Sequence, residues 1–126
     1  MYAKDIMTKN VITMKPDTSV FGAIDILVDN KISGAPVMDD SGKVVGVVSE
    51  KDLLVTFDFI GEKDAAATPV KEFMSKDVIA FSEDTPVKTI MQELVRRNIK
   101  RAPVITKDAL VGVVSRRDVL RSMRGK

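Results

Sequence analysis

The chain contains no cysteine and no histidine. Without cysteine there is no disulfide, no thiol nucleophile and no thiolate metal site; without histidine the commonest general base and transition-metal ligand are missing. Most hydrolase and zinc chemistry is thereby excluded. Tryptophan is absent too, and tyrosine occurs once, so a bound ring would meet aliphatic walls rather than stacked aromatics. No apolar run approaches the roughly 18 residues of a membrane helix, and MYAKDIMTKN lacks the charged start and apolar stretch of a secretory signal. A cytoplasmic location without membrane association is expected. No phosphate-binding loop and no G-x-S-x-G occurs, so the chain is not expected to be an enzyme.

What is present is a chain of 126 residues, 44% apolar and 30% charged, a composition that suits one compact domain or two small ones sharing a core. The net charge of +2 is too small to argue for a polyanionic partner, but it is unevenly spread. Residues 4–54 carry six lysines against eight acids, and residues 71–120 carry ten lysines and arginines against seven acids. Arg121, Arg124 and Lys126 extend the basic half, which is where an anionic ligand is expected.

The sequence repeats itself. KDIMTKNVITMKPDTSV aligns with KEFMSKDVIAFSEDTPV, KISGAPV with NIKRAPV, and GKVVGVVSEKDLL with DALVGVVSRRDVL. Fourteen of 35 positions agree in the first stretch, and seven of 11 from Val44 to Leu54, which marks a tandem duplication. Each copy reads β-α-β-β-α. VITM and VIAF are short strands. Thr18 and Thr85 are helix N-cap candidates, the second with Pro86 at the first helical position. Val20, Ala23, Ile24, Leu27 and Val28, matched by Val87, Ile90, Met91, Leu94 and Val95, form one helix face. APVM and APVI, then KVVGVVS and ALVGVVS, are strands, joined in the first copy by the turn Asp39-Asp40-Ser41-Gly42. That turn lacks the alternating acids of a calcium loop. A last helix begins at Ser49 and Ser115, with Leu53, Leu54 and Phe57, or Val119, Leu120 and Met123, facing inward. Phe57, Phe59 and Ile60 are too apolar for free solvent and are expected to pack on the module or in a homodimer. A copy of about 50 residues buries too little surface to be stable alone, so the two are expected to pack sheet to sheet.

The segment with most chemical content is GVVSEKD, Gly46–Asp52, and its twin GVVSRRD, Gly112–Asp118: a strand that ends in Ser-x-x-Asp as a helix begins. One reading is a capping box, in which Ser and Asp satisfy each other's N–H groups. The other places an anion at the helix N-terminus and a vicinal diol on the carboxylate. Both stand on the sequence alone.

Two copies of D-I-M-T/S, V-I-T, A-P-V and G-V-V-S-x-x-D in this order resemble the CBS domain, named after cystathionine beta-synthase and usually found as a tandem pair, the Bateman module. The resemblance implies an α/β (α+β) fold of two β-α-β-β-α repeats packed through their sheets with pseudo-twofold symmetry: 1–60, a linker 61–70, and 71–126. It implies a stand-alone regulatory module without catalytic cofactor, holding AMP, ADP, ATP or S-adenosylmethionine in the cleft between repeats. Occupancy would pass to a separate partner protein, and the chain would form a homodimer. Carried over residue by residue, the ribose falls to Ser49, Asp52, Ser115 and Asp118. One adenine pocket would join Val113 of the Asp118 site to Ile12 and Ile32; its mate would join Val47 of the Asp52 site to Ile79 and Ile99. These aliphatic residues also read as ordinary core. Phosphate contacts fall to Lys51, Lys100, Arg101, Arg116 and Arg117, which also read as a solvated basic face. At these positions Ser33, Gly34 and Glu50 of the first copy become Lys100, Arg101 and Arg116. The Asp118 pocket is therefore expected to take the phosphorylated ligand, and the Asp52 pocket a less anionic one or none. A nucleic-acid-binding or purely structural oligomerisation module is the alternative, the basic SRRDVLRSMRGK being its main support.

Overall fold

The computed structural model describes residues 1–124; Gly125 and Lys126, the end of the basic C-terminal segment, lie outside the described residues. Two compact units form. A central unit comprises Ile12–Val78, and a terminal unit joins Met1–Val11 to the chain from Ile79 onward. The units thus divide the chain at other points than the repeat does. Within residues 61–70, Ala65 and Val70 are buried in the core of the central unit.

In the central unit β1 (Gly34–Met38) and β2 (Val44–Ser49) pair antiparallel, Ala35 opposite Val48 and Val37 opposite Gly46. The turn between them is closed by Asp39, whose Oδ1 accepts from the Ser41 hydroxyl at 2.6 Å and from the Ser41 and Lys43 N–H groups at 2.9 and 3.0 Å. The Ser41 hydroxyl above all holds the Asp39 carboxyl below its ordinary pKa. Over the sheet lie α2 (Val20–Asp29), which buries Val20, Ala23 and Leu27, and α3 (Glu50–Ala65), which buries Leu53 and Ala65. α3 is broken at Gly61, whose φ of 77° only glycine adopts without strain.

The terminal unit repeats the pattern. β3 (Arg101–Thr106) and β4 (Ala109–Ser115) pair antiparallel through a two-residue loop, Lys107 and Asp108, both at positive φ, as right-twisted hairpins favour. α4 (Val87–Arg96) and α5 (Arg116–Met123) cover the sheet, and a short α1 (Ala3–Ile6) adds Ala3 to a core of Phe81, Ile90, Leu94, Ala102, Val104, Val114 and Val119.

Several sequence expectations need correction. The VITM and VIAF strands shrink to one bridging residue each, Met14 beside Val37 and Phe81 beside Val104. Met14 donates to the Pro36 carbonyl at 2.9 Å and accepts from Met38 at 2.8 Å; Phe81 repeats this with Pro103 and Ile105 at 3.0 and 2.8 Å. One step further along a parallel ladder, the N–H of residue 36 or 103 would have to donate to Ile12 or Ile79. Both are prolines and have no N–H to give.

The helix caps shift by one residue. Thr18 and Thr85 do not cap helices: their hydroxyls accept from Lys15 and Ser82 at 3.1 Å and close the preceding turns. Ser19 caps α2 by accepting from Gly22 at 3.0 Å. Pro86 stands at the N-cap of α4, not at its first helical position, and offers no side-chain cap. The inward faces are also narrower than expected. Val28, Val95, Leu54 and Leu120 are about two-thirds exposed or more, and Met123 is half exposed. Strands lie about 4.8 Å apart, so a two-stranded sheet is little wider than a single helix and cannot cover the whole stripe of two. Of the apolar residues ahead of Gly61, Phe57 and Ile60 pack on the central core, with Phe57 edge-on to Phe21 at 6.0 Å. Phe59 does not pack within the chain and is 89% exposed.

Candidate functional site

Hairpin register assembles one polar cluster in each unit. Gly34 stands opposite Ser49, and Arg101 opposite Ser115, so the residues just before β1 or β3 meet the start of α3 or α5. The meeting is fixed by the backbone: Glu50 donates to the Ser33 carbonyl, and Arg116 to that of Lys100, each at 2.9 Å.

At each start the Ser-x-x-Asp box is complete. Ser115 N–H donates to Asp118 Oδ2 at 2.9 Å, and Asp118 N–H donates to Ser115 Oγ at 3.2 Å. The Ser115 hydroxyl also reaches Asp118 Oδ2 at 3.0 Å. Ser49 and Asp52 make the same reciprocal pair at 2.9 and 3.2 Å. The capping reading of these residues therefore holds in both copies. It leaves room for a second role, because the box engages only Oδ2. Asp52 Oδ1 has no partner among the described residues. Asp118 Oδ1 meets Arg121 at 3.2 Å, from a guanidinium-bearing side chain that is 59% exposed. Such a surface partner is held weakly, and a diol could replace it. Asp118 is nonetheless 5% exposed, the one buried charged side chain among the described residues.

The basic residues are not equivalent. Arg116 is held by its own unit, donating from Nε to the Ile99 carbonyl at 2.9 Å and toward Asn98 Oδ1 at 3.3 Å. Lys100, Arg117 and Lys51 are exposed, and Arg101 is half-buried at the first position of β3. Among the aliphatic candidates, Ile32 and Ile99 pack on the cores of their own units. Val47, Val113 and Ile79 are half-buried, and Ile12 is exposed. The Ile12 and Ile79 carbonyls accept no backbone hydrogen bond among the described residues, Pro36 and Pro103 having no N–H to give.

The duplication concealed one feature that sets these clusters. The D-I-M-T segment of the first copy pairs with the second copy's strand: Thr8 and Val113 exchange backbone hydrogen bonds at 2.8 and 2.9 Å. Ser75 does the same for Val47, both at 3.0 Å. Met7 and Met74 then lie directly over Gly112 and Gly46, where a Cβ would come within 2.6 Å of the sulfur. A glycine inside each run of β-branched residues was the available signal, since such a glycine marks a close approach. The strands carrying Ser49 and Ser115 are thereby pinned from both sides. No group of three or more acidic residues suited to hold a metal ion occurs among the described residues, and no helix there is long and apolar enough to cross a membrane.

Comparison with known proteins agrees with this geometry. The CBS domain family matches residues 3–57 and 70–125. The inosine-5'-monophosphate dehydrogenase of Methanocaldococcus jannaschii is 30% identical over 94% of this chain, which spans only 23% of that enzyme. Two solved structures superpose along nearly the whole length. The CBS domain pair of protein MJ0100, in complex with 5'-methylthioadenosine and S-adenosyl-L-methionine, is 28% identical with a TM-score of 0.87, covering 99% of this chain and 97% of that one. CBSX2 in complex with AMP is 30% identical with a TM-score of 0.85, covering 97% and 95%.

Proposed function

The chain belongs to the CBS domain family, and from that premise we propose that it is a non-catalytic sensor of adenosine-containing ligands. One observation carries the reading: Ser115 and Asp118 sit at the mouth of a helix N-terminus with the carboxylate buried and one oxygen free of the capping box. A carboxylate so placed accepts hydrogen bonds from a ribose diol, and the helix start favours a phosphate. Ser49 and Asp52 offer the same chemistry in the central unit. Ile12, Ile32, Val47, Ile79, Ile99 and Val113 are the candidate walls for adenine. The relatives' AMP, methylthioadenosine and S-adenosylmethionine support the ligand class.

The two sites differ in charge. Hairpin register and the helix start bring Lys100, Arg101, Arg116 and Arg117 near Ser115 and Asp118, and Ser33, Gly34, Glu50 and Lys51 near Ser49 and Asp52. Each charge-assisted hydrogen bond to phosphate contributes about 1.5–3 kcal/mol, so the site of the terminal unit takes the phosphorylated ligand and that of the central unit a less anionic one. Occupancy biases the conformation of the module, and a partner protein reads it; two copies of the chain pair as a homodimer. Calorimetric titration with AMP, ADP, ATP, S-adenosylmethionine and methylthioadenosine tests the reading. The expected result is nucleotide binding that Asp118→Ala removes and Asp52→Ala spares. Equal loss from both variants would contradict the asymmetry, and silence across the panel would leave the oligomerisation module.

A further inference from the structure

Arg116 stands at the first position of α5, where the repeat places Glu50 in the first copy. The helix alone does not account for it. A helix start carries partial positive charge, so a glutamate suits the position and an arginine does not. The guanidinium is engaged elsewhere. Its Nε donates to the Ile99 carbonyl at 2.9 Å and its Nη2 to Asn98 Oδ1 at 3.3 Å. The Arg116 backbone N–H donates to the Lys100 carbonyl, also at 2.9 Å.

These bonds converge on one residue. The Ile99 and Lys100 carbonyls belong to the two planar peptide groups that flank Lys100, so Arg116 holds both planes and with them the φ and ψ of Lys100. Asn98, at a φ of 52° that asparagine tolerates, turns its side chain to the same guanidinium. The first copy shares the backbone of this loop. Lys31 has a φ of 55°, Ile32 donates to the Leu27 carbonyl at 3.0 Å as Ile99 does to that of Leu94 at 3.1 Å, and Glu50 N–H reaches the Ser33 carbonyl. It cannot share the side-chain bond, because a carboxylate has no proton to give the Ile32 carbonyl. Residue 50 therefore holds one peptide plane of Ser33, where residue 116 holds two of Lys100.

We propose that Arg116 is a positioning residue for phosphate recognition: its guanidinium is committed to the Asn98–Lys100 loop and acts on the ligand through Lys100, whose backbone it fixes beside Ser115 and Asp118. A cation anchored in this way loses less freedom on binding, and the gain falls on phosphorylated ligands alone. This role rests on the reading that the terminal unit takes a phosphorylated adenosine ligand. Every residue in it belongs to that unit.

Two variants separate this role from direct contact with phosphate, and since Arg116 is exposed neither disturbs the core. In Arg116→Gln the amide nitrogen lies as many bonds from Cα as Nε does, so the donor to Ile99 is kept and the charge removed. In Arg116→Lys the charge is kept, but its nitrogen lies one bond farther and the planar fork is lost. Both are titrated with AMP and with adenosine at about 0.15 M salt, where charges more than about 8 Å apart are largely screened. The AMP-to-adenosine affinity ratio is expected to fall about tenfold with lysine, the size of one net hydrogen bond, and less with glutamine. A ratio as low with glutamine as with lysine, or lower, would overturn the positioning role and assign Arg116 to the phosphate itself. A ratio unchanged in both variants would overturn it too, leaving a contact that serves stability alone. A native chain that binds neither compound, or shows no preference for AMP, would instead overturn the site reading beneath the proposal.

Discussion

Replacing Asp118 with alanine is expected to abolish the rise in melting temperature that an adenosine ligand gives the native chain. A ligand at about 100 times its dissociation constant stabilises by roughly 2.7 kcal/mol, which for a chain of this size is a rise of about 10 °C. In the variant the rise falls to zero for the phosphorylated ligand. Loss of the box itself lowers the unliganded stability by about 0.5–2 kcal/mol, so a control must separate the two effects. Asp5 supplies it. Its carboxylate accepts from the Tyr2 N–H at 2.8 Å, a cap of the same kind remote in sequence from Ser115. Asp5→Ala is expected to lose stability yet keep the ligand response. If Asp118→Ala keeps the response as well, its carboxylate serves only as a cap.

The second large effect is expected from Gly46→Val. A Cβ at this position would lie 2.6 Å from Met74 Sδ and 2.9 Å from the Ser75 carbonyl oxygen. The sulfur ends a flexible side chain and can move, but the oxygen belongs to the backbone that bonds Val47. Two further methyl groups leave no escape within the pinned strand, and the cost is about 3 kcal/mol, at the upper end for overpacking. Denaturant unfolding measures it. The same titration of Met74→Ala should show a smaller loss, and the double variant should recover part of the valine's cost if crowding at the sulfur is a cause. A fully stable Gly46→Val chain would mean that the 70–78 segment does not lie on β2 as described.

Much of this molecule can be read from its residues. The duplication, the two hairpins, the helix faces and the Ser-x-x-Asp boxes all follow from period and punctuation, because each is set by contacts within some 20 residues. Which copy a segment joins does not follow. Met7 over Gly112 and Met74 over Gly46 are the same chemistry, so a repeat cannot reveal that Thr8 pairs with Val113 rather than with Val47. The early strands are shorter than their residues suggest for a related reason. Val11 and Ile12 have strand character, but the ladder they need ends at Pro36, whose missing N–H matters only once the register is known. The width of the buried faces was hidden too: Leu54 and Leu120 fit an inward stripe by spacing, and only the narrowness of a two-stranded sheet leaves them outside. In the candidate site the residues were legible and their double duty was not, since the same spacing serves cap and diol alike.

That double duty can be tested on the ligand rather than on the protein. Titrating the native chain in parallel with AMP and with its 2'-deoxy analogue removes one hydroxyl and nothing else. If the Asp118 carboxylate holds the ribose diol, the deoxy compound loses a charge-assisted hydrogen bond of about 1.5–3 kcal/mol and binds roughly 10- to 150-fold more weakly. Equal affinity for the two compounds would contradict the account, since the sugar hydroxyls would then play no part in recognition.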